Sequence, residues 1–255
     1  MSSLQGQVAL VTGGGRGIGR GIALALARAG ADVAISDIGP LQSTADEIAA
    51  LGRRGLAVRA DVRSRDQVRR MVDETVSRLG GLRLLVCAAG VISMSPVEVM
   101  TEEDWDLTLD VNIKGTFLTC QAAIPALKAG GGGCIITTAS VAGKNGQPGL
   151  AHYCASKFAV VGFTNALAKE LARDNIRVNA ICPGIVRTHM WEYLAEMRKL
   201  PGESKEQAWQ RIIEARVPLG RPQTPEDMGQ LAVYLASAVN VTGQAINVDG
   251  GSELH

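Results

Sequence analysis

Apolar residues fall into two alternating patterns along this chain. Short runs rich in β-branched residues, such as Gln7-Val-Ala-Leu-Val-Thr12 and Asp32-Val-Ala-Ile-Ser-Asp37, show no strict polar alternation. Such runs suit strands covered on both faces. Between them lie helical stretches, the first with Ile18, Ile22, Leu24 and Leu26 on its apolar side. The pattern predicts strands at 7–12, 32–37, 56–60, 83–87, 134–138, 176–182 and 245–248. It predicts helices at 17–29, 41–53 and 64–79, within 102–129, and at 153–173 and 224–238. Strands alternating with helices predict an α/β fold, a doubly wound parallel sheet with helices on both faces and right-handed crossovers. No linker, repeat or low-complexity tract divides residues 1–255, so a single domain is expected. One stretch, 185–223, breaks the rhythm; it is rich in charge and holds Trp191, Tyr193 and Trp209. Long excursions in compact domains serve as lids or binding segments, and 185–223 is read as a substrate lid.

Composition narrows the class. A hydrophobic share of 46% permits a sizeable core, and a charged share of 20% excludes a mostly disordered chain. Lys+Arg 26 against Asp+Glu 25 leaves no global basic field, so nucleic acid is not an expected partner. No uncharged apolar stretch reaches membrane-spanning length; 21–35 is broken by Arg28 and Asp32. The start, Met1-Ser-Ser-Leu-Gln-Gly6, lacks the cationic and apolar regions of a secretory leader. Cys87, Cys120, Cys134, Cys154 and Cys182 are widely spaced within apolar runs. They read as buried free thiols in a reducing compartment, with a metal site as the weaker alternative. A soluble, cytoplasmic protein is expected.

The segment Thr12-Gly-Gly-Gly-Arg-Gly-Ile-Gly19 follows the first strand and opens the first helix. Its glycines permit unusual dihedrals and close approach, and a helix N-terminus attracts pyrophosphate. In this strand–turn–helix context the turn reads as a dinucleotide site, against a plain tight turn. Asp37 ends the second strand, where a carboxylate can accept from ribose hydroxyls and repel the extra phosphate of NADP. Starting the turn Asp37-Ile-Gly-Pro40 is the lesser alternative for it. Arg16 fits either a phosphate or solvent. Asp61 and Val62, just past the third strand, lie where an adenine ring would rest.

Tyr153 and Lys157, four apart, share one helix face. Ser140 follows the fifth strand at the sheet edge where ligands bind in open parallel sheets. Asn112 lies within a helix, where a buried amide needs partners. A hydroxyl, a phenol and an ammonium together suit carbonyl–alcohol interconversion. The ammonium favours the phenolate, the phenol exchanges the proton, and the hydroxyl holds the substrate oxygen.

These motifs, in this order, resemble the short-chain dehydrogenase/reductase family from about Gln7 to Gly251. The resemblance rests on the glycine turn, Ala88-Ala-Gly90, Asn112, Ser140, Tyr153-Cys-Ala-Ser-Lys157, Asn179-Ala-Ile-Cys-Pro-Gly184 and Asn247-Val-Asp-Gly-Gly251. It implies a Rossmann-like fold, Tyr153 as acid/base and Lys157 on the nicotinamide ribose. It also implies Ser140 on the substrate oxygen and Asn112 in a water-linked proton path. NAD is then the expected cofactor, contacted by Gly13, Gly15, Arg16, Gly17, Ile18, Gly19, Asp37, Asp61, Val62, Ala89 and Gly90. Tyr153, Lys157, Pro183, Gly184, Val186 and Thr188 complete that set.

Two departures stand out. Cys87-Ala-Ala-Gly90 replaces the family's Asn-Asn-Ala-Gly, which puts local stability in doubt. Thr188-His189-Met190 replaces a frequent Thr-Pro-Met, leaving the lid entry without its rigid proline. His189 reads as a surface residue rather than a substrate contact. Met190-Trp191-Glu192 resembles relatives acting on polyols and small vicinal diols. Trp191, Tyr193 and Trp209 either touch substrate or pack the lid, and Met94 and His152 are further pocket candidates.

The expected function is an NAD-dependent oxidation or reduction of a secondary alcohol or ketone. The alternative is an NADPH-dependent ketoreductase of carrier- or coenzyme-A-bound 3-oxoacyl groups, which Asp37 opposes. A methyltransferase shares the glycine turn but has no use for Ser140, Tyr153 and Lys157 together. A nucleotide sensor has no use for an intact catalytic set. Finally, helix 153–173 is apolar in every direction, with Phe158, Val161, Phe163 and Leu167 spread around it. Such a helix is buried all round, and the resemblance makes a homotetramer the expected assembly.

Overall fold

The computed structural model describes residues 4–253; the expectation about a leader falls partly on residues 1–3, outside them. Chain order runs β1 (Val8–Thr12), α1 (Gly17–Arg28), β2 (Asp32–Asp37), α2 (Gln42–Ala50), β3 (Gly55–Arg59), α3 (Arg65–Leu79) and β4 (Leu84–Cys87). It continues with α4 (Glu102–Leu109), α5 (Gly115–Ala129), β5 (Gly133–Thr138), α6 (Ala151–Leu171) and β6 (Ile176–Pro183). The last elements are α7 (His189–Met197), α8 (Lys205–Arg216), α9 (Pro225–Ser237) and β7 (Ala245–Val248).

Alternate residues of β1 go to opposite faces of the sheet. Ala9 and Val11 join one apolar cluster, Val8 and Leu10 another. All five β1 positions are buried, which is why no polar alternation marks that strand. On the first face Ile22 and Leu26 of α1, Ile48 of α2 and Met228 of α9 pack onto Val11, Ile35 and Ile136. On the second, Met71 of α3, Leu127 of α5 and Leu167 of α6 pack onto Leu10, Leu85 and Ile135. The sheet is a single doubly wound layer, ordered β3-β2-β1-β4-β5-β6-β7 with every pair parallel. Strand order reverses between β1 and β4, and a crevice opens beyond the strand ends at such a point.

Helix boundaries follow from their caps. Ser64 accepts from the Gln67 N–H at the start of α3, and Gly80 ends that helix at φ 90. Reciprocal side-chain and backbone bonds join Ser204 to Gln207 and Thr224 to Asp227 at the starts of α8 and α9. Between β2 and β3, buried Asp32 accepts from Arg53 at 2.8 Å and from Arg54 Nε at 2.7 Å.

Two stretches differ from the sequence expectation. The helix within 102–129 widens into a π-turn at Asp110–Lys114. The excursion 185–223, for which the pattern predicts no elements, holds α7 and α8, which build a small core around Ile185, Ala195, Trp209, Ile212 and Val217. All five cysteines are buried and free. Among the described residues no helix is long and apolar enough to cross a membrane, and no cluster of three metal-ligating side chains occurs.

Candidate active site

Beyond the carboxyl ends of the strands lies a cavity of about 890 Å³. One end is built by the glycine turn. Gly13 has φ +67, and a Cβ there would come within 2.8 Å of the Ala88 carbonyl and the Ala89 nitrogen. At Gly19 a Cβ would lie 2.1 Å from the Gly13 carbonyl oxygen. Gly17 has φ +55, and a Cβ there would touch the Thr188 side chain at 3.5 Å. Arg16 is the residue before α1 and gives it no side-chain cap. The first-turn N–H groups of α1 therefore remain available at the cavity wall, where Arg16, Gly17, Ile18 and Gly19 stand. The turn can keep this close backbone packing only with glycine at positions 13 and 19, and free N–H groups at a helix start suit an anion.

Asp37 starts the turn and also faces the cavity. Its carboxylate accepts from the Gly39 N–H at 3.0 Å and from the Gly15 N–H at 3.4 Å, organising the turn, and it still borders the cavity. Gly15 does not border it; a Cβ there would meet the Pro40 carbonyl oxygen at 2.6 Å. Asp61 and Val62 line the same end. The Asp61 carboxylate is closed by Arg63, whose side-chain hydrogen bond is the main reason it lies below the usual carboxylate range.

Cys87, which departs from the pattern of the resembled family, turns into the core and lies 3.8 Å from Cys120 across Sγ atoms. The expected loosening is met by Thr12, which opens the glycine-turn motif but is not among the expected site residues. Its buried hydroxyl accepts from Ala88 N–H at 3.2 Å and Ala89 N–H at 3.4 Å. A threonine at the end of the strand that feeds a glycine turn is the signal for it.

At the other end stand Ser140, Tyr153 and Lys157. Ser140 follows β5, and its hydroxyl accepts from the Ala142 N–H at 3.1 Å. Tyr153 and Lys157 come from the first turns of α6, and Lys157 Nζ donates to the Thr138 carbonyl at 2.8 Å. All three border the cavity with Gly90, Pro183, Gly184, Val186 and Thr188. Burial pushes the Tyr153 phenol up to about 12, against a hydrogen bond with Ser140 that lowers it. Burial also pushes the Lys157 ammonium down to about 8. In the chain alone, desolvation therefore outweighs the ammonium's pull on the phenol that the residue pattern suggests.

Asn112 lies behind the wall rather than on it. The π-turn aims its amide at the segment after Gly90: Nδ2 donates to the Val91 carbonyl at 3.0 Å, and Oδ1 accepts from the Val91 N–H at 2.9 Å. Nδ2 also donates to Ser156 Oγ at 3.0 Å. Such turns concentrate at functional sites.

Over the cavity, Trp191 both lines it and packs edge-on against Trp209, with ring centres 6.2 Å apart. Trp209 is buried and only packs. Tyr193 lines the cavity, and its hydroxyl accepts from the Met94 N–H at 3.4 Å. His189 borders the cavity as an exposed residue. Met94 and His152 do not border it: Met94 packs beneath on the cluster of Leu150, Tyr153 and Leu194. His152 is fully buried, 2.8 Å from Ser93 Oγ. Arg198 and Arg216, which belong to no motif in the sequence, also line the cavity.

The enoyl-(acyl carrier protein) reductase family model matches residues 13–253. A short-chain dehydrogenase/reductase of Armillaria gallica is 42% identical, over 97% of this chain and 96% of its own. The 3-oxoacyl-[acyl-carrier-protein] reductase of Thermotoga maritima is 40% identical over 97% and 98%. The carveol dehydrogenase of Mycobacterium avium, solved in complex with NAD, superposes with a TM-score of 0.94 at 32% identity, over 99% of both chains. With the glycine cradle facing Ser140, Tyr153 and Lys157 across one cavity, and these likenesses along its length, the chain belongs to the short-chain dehydrogenase/reductase family of oxidoreductases.

Proposed function

We propose that the protein interconverts a secondary alcohol and its ketone with NAD(H). The observation that carries this reading is the placement of Ser140, Tyr153 and Lys157 on one wall of the cavity that the glycine turn and Asp37 enter from the other end. NAD(H), when bound, supplies or takes the hydride. The cradle of Gly13, Arg16, Gly17, Ile18 and Gly19 suits its pyrophosphate, and Asp37 its adenosine ribose. Asp61, Val62, Ala89 and Gly90 suit the adenosine side. Pro183, Gly184, Val186 and Thr188 suit the nicotinamide side. Gly15 acts through the Asp37 turn.

Tyr153 is the acid/base. Its raised pKa keeps it protonated at neutral pH, ready to give the proton to a carbonyl oxygen that the Ser140 hydroxyl holds. In the other direction it takes the alcohol's proton. The Lys157 charge, fixed by the Thr138 carbonyl, favours the phenolate as it forms. Asn112 is a positioning residue that ties Val91 to Ser156. Residues 185–223 serve as the substrate lid. Buried free thiols support a reducing compartment, the cytoplasm, and the exposed apolar faces of α5 and α6 support a homotetramer.

Polyols and small diols are one substrate class. The likeness to the Thermotoga reductase favours a second, 3-oxoacyl thioesters reduced by NADPH. A panel of alcohols, ketones and 3-oxoacyl thioesters, run with NAD(H) and NADP(H) and followed by nicotinamide absorbance, tests both. Turnover of alcohols or ketones with NAD(H) is expected; turnover of thioesters with NADPH alone would replace this reading with the second.

A further inference from the structure

The lid carries two arginines into the cavity. Arg198 follows α7 and Arg216 ends α8, and both line it. The Arg198 guanidinium lies over the Trp191 ring, 5.7 Å from its centre, and Trp191 packs on the cluster that holds Tyr153 and Leu194. Arg216 Nη2 donates to Gln147 Oε1 at 2.5 Å. The Gln147 N–H in turn reaches Cys154 Sγ at 3.4 Å, one residue from Tyr153. Both guanidiniums are thus anchored to the Tyr153 wall.

Among the described residues neither has a carboxylate partner. The acidic groups near them are engaged elsewhere. Glu203 holds Arg211 through two bonds, at 2.8 and 2.9 Å. Glu253 accepts from Asn145 at 3.1 and 3.2 Å, and Glu192 faces Lys205 at 3.7 Å. Burial, and then the charge of Arg216, weaken the hold of Arg198 on its proton. A basic residue at a helix C-terminus complements the helix dipole. That benefit does not require two guanidiniums to line one cavity with neither held by a carboxylate, while Glu192 and Glu253 on the same wall pair with Lys205 and Asn145 instead. An anion there removes the repulsion and gains charge-assisted hydrogen bonds.

We propose that Arg198 and Arg216 receive an anionic group of the substrate, a carboxylate or a phosphate. The substrate is then a hydroxy or oxo acid, or a hydroxyalkyl phosphate, rather than a neutral diol. The inference rests on the oxidoreductase reading above and deepens it.

Matched compounds test it. 3-Hydroxy acids are compared with their methyl esters, and hydroxyalkyl phosphates with the parent diols, by kcat/KM with NAD as cofactor. Acids or phosphates should exceed their neutral counterparts by about ten- to a hundredfold, the range for a hydrogen bond to a charged group. The better of the two anions names the source. Arg198→Met or Arg216→Met should bring that ratio toward one, chiefly through KM, and Arg198→Lys should restore part of it. Neutral compounds equal to or better than both anions would overturn the proposal. A second readout does not need turnover. Carboxylates or phosphate should quench tryptophan fluorescence saturably through Trp191, less in both Met variants. If nothing is turned over but this quenching is seen, the oxidoreductase reading fails and the anion site stands. If wild type shows no saturable response, the anion site falls.

Discussion

The Lys157 ammonium stands 5.5 Å from the centre of the Tyr153 ring, and burial drives both groups toward their neutral forms. The phenol rises to about 12 while the ammonium falls to about 8. Ultraviolet titration of the cofactor-free protein should therefore show no difference between wild type and Tyr153→Phe below about pH 11, set by that raised value. A tyrosinate absorbance present near pH 8 in wild type and lost in the variant would contradict it.

The same pair has a stability signature. Lys157 binds its proton more weakly folded, at about 8, than unfolded, near 10.5. Between those values the unfolded chain holds more protons, so stability from this group rises with pH. Tyr153 acts in the opposite sense: from about pH 10 to about 12 the folded chain holds more protons, and stability falls. Lys157→Met should flatten the rising limb of urea-midpoint stability between pH 8 and 10. An unchanged slope would mean that Lys157 is hydrated.

Turnover should depend on the Tyr153 proton. Tyr153→Phe keeps the ring and removes the hydroxyl, and it should lower kcat by about 10²–10⁴ with NADH binding near normal. Ser140→Ala should lower kcat as well if its hydroxyl holds the substrate oxygen as proposed. A Tyr153→Phe variant with more than about a tenth of the wild-type kcat would assign the proton to another group.

Cofactor choice should follow the Asp37 charge. NAD(H) is expected to exceed NADP(H) in kcat/KM by about a hundredfold, because a phosphate beside this carboxylate is a like-charge contact. Asp37→Asn is the informative variant: the amide oxygen can still accept from Gly39, so the turn survives while the charge goes. The preference should narrow. Equal use of both cofactors by wild type would remove Asp37 from this role.

Fully apolar runs such as 8–11 announce strands buried on both faces, and that is where they lie. Ser140, Tyr153 and Lys157 are legible in the sequence because their chemistry is unusual in combination and their positions fall at a strand end and a helix start. Asn112 is legible as a residue but not as geometry. Its π-turn places it against Val91 and Ser156, partners distant in sequence. Thr12 is hidden because its hydroxyl serves a neighbouring strand's loop. Arg198 and Arg216 are hidden because charge at a helix end is common; only the packing of α7 against α8 turns both into one cavity.

Assembly gives the last test. In the single chain Phe158 is 47% exposed and Phe117 38%, with Trp105 of α4 at 41%. Soluble chains rarely leave large apolar groups of this kind uncovered together. Symmetric pairing through α5 and α6 would cover them, and the lid does not, since they stay exposed with α7 and α8 in place. Phe163, one of the apolar residues spread around the helix in the sequence, is partly buried against the cluster holding Leu167 and Cys120. A charge at Phe163 would disturb the fold as well as any interface. Phe158→Asp is the cleaner probe, since its ring stands largely in solvent in the single chain. Light scattering after size exclusion should give wild type a mass several times 26.7 kDa. Phe158→Asp should be smaller, with circular dichroism unchanged. A wild type at one chain mass across the micromolar range would show that these faces need no partner.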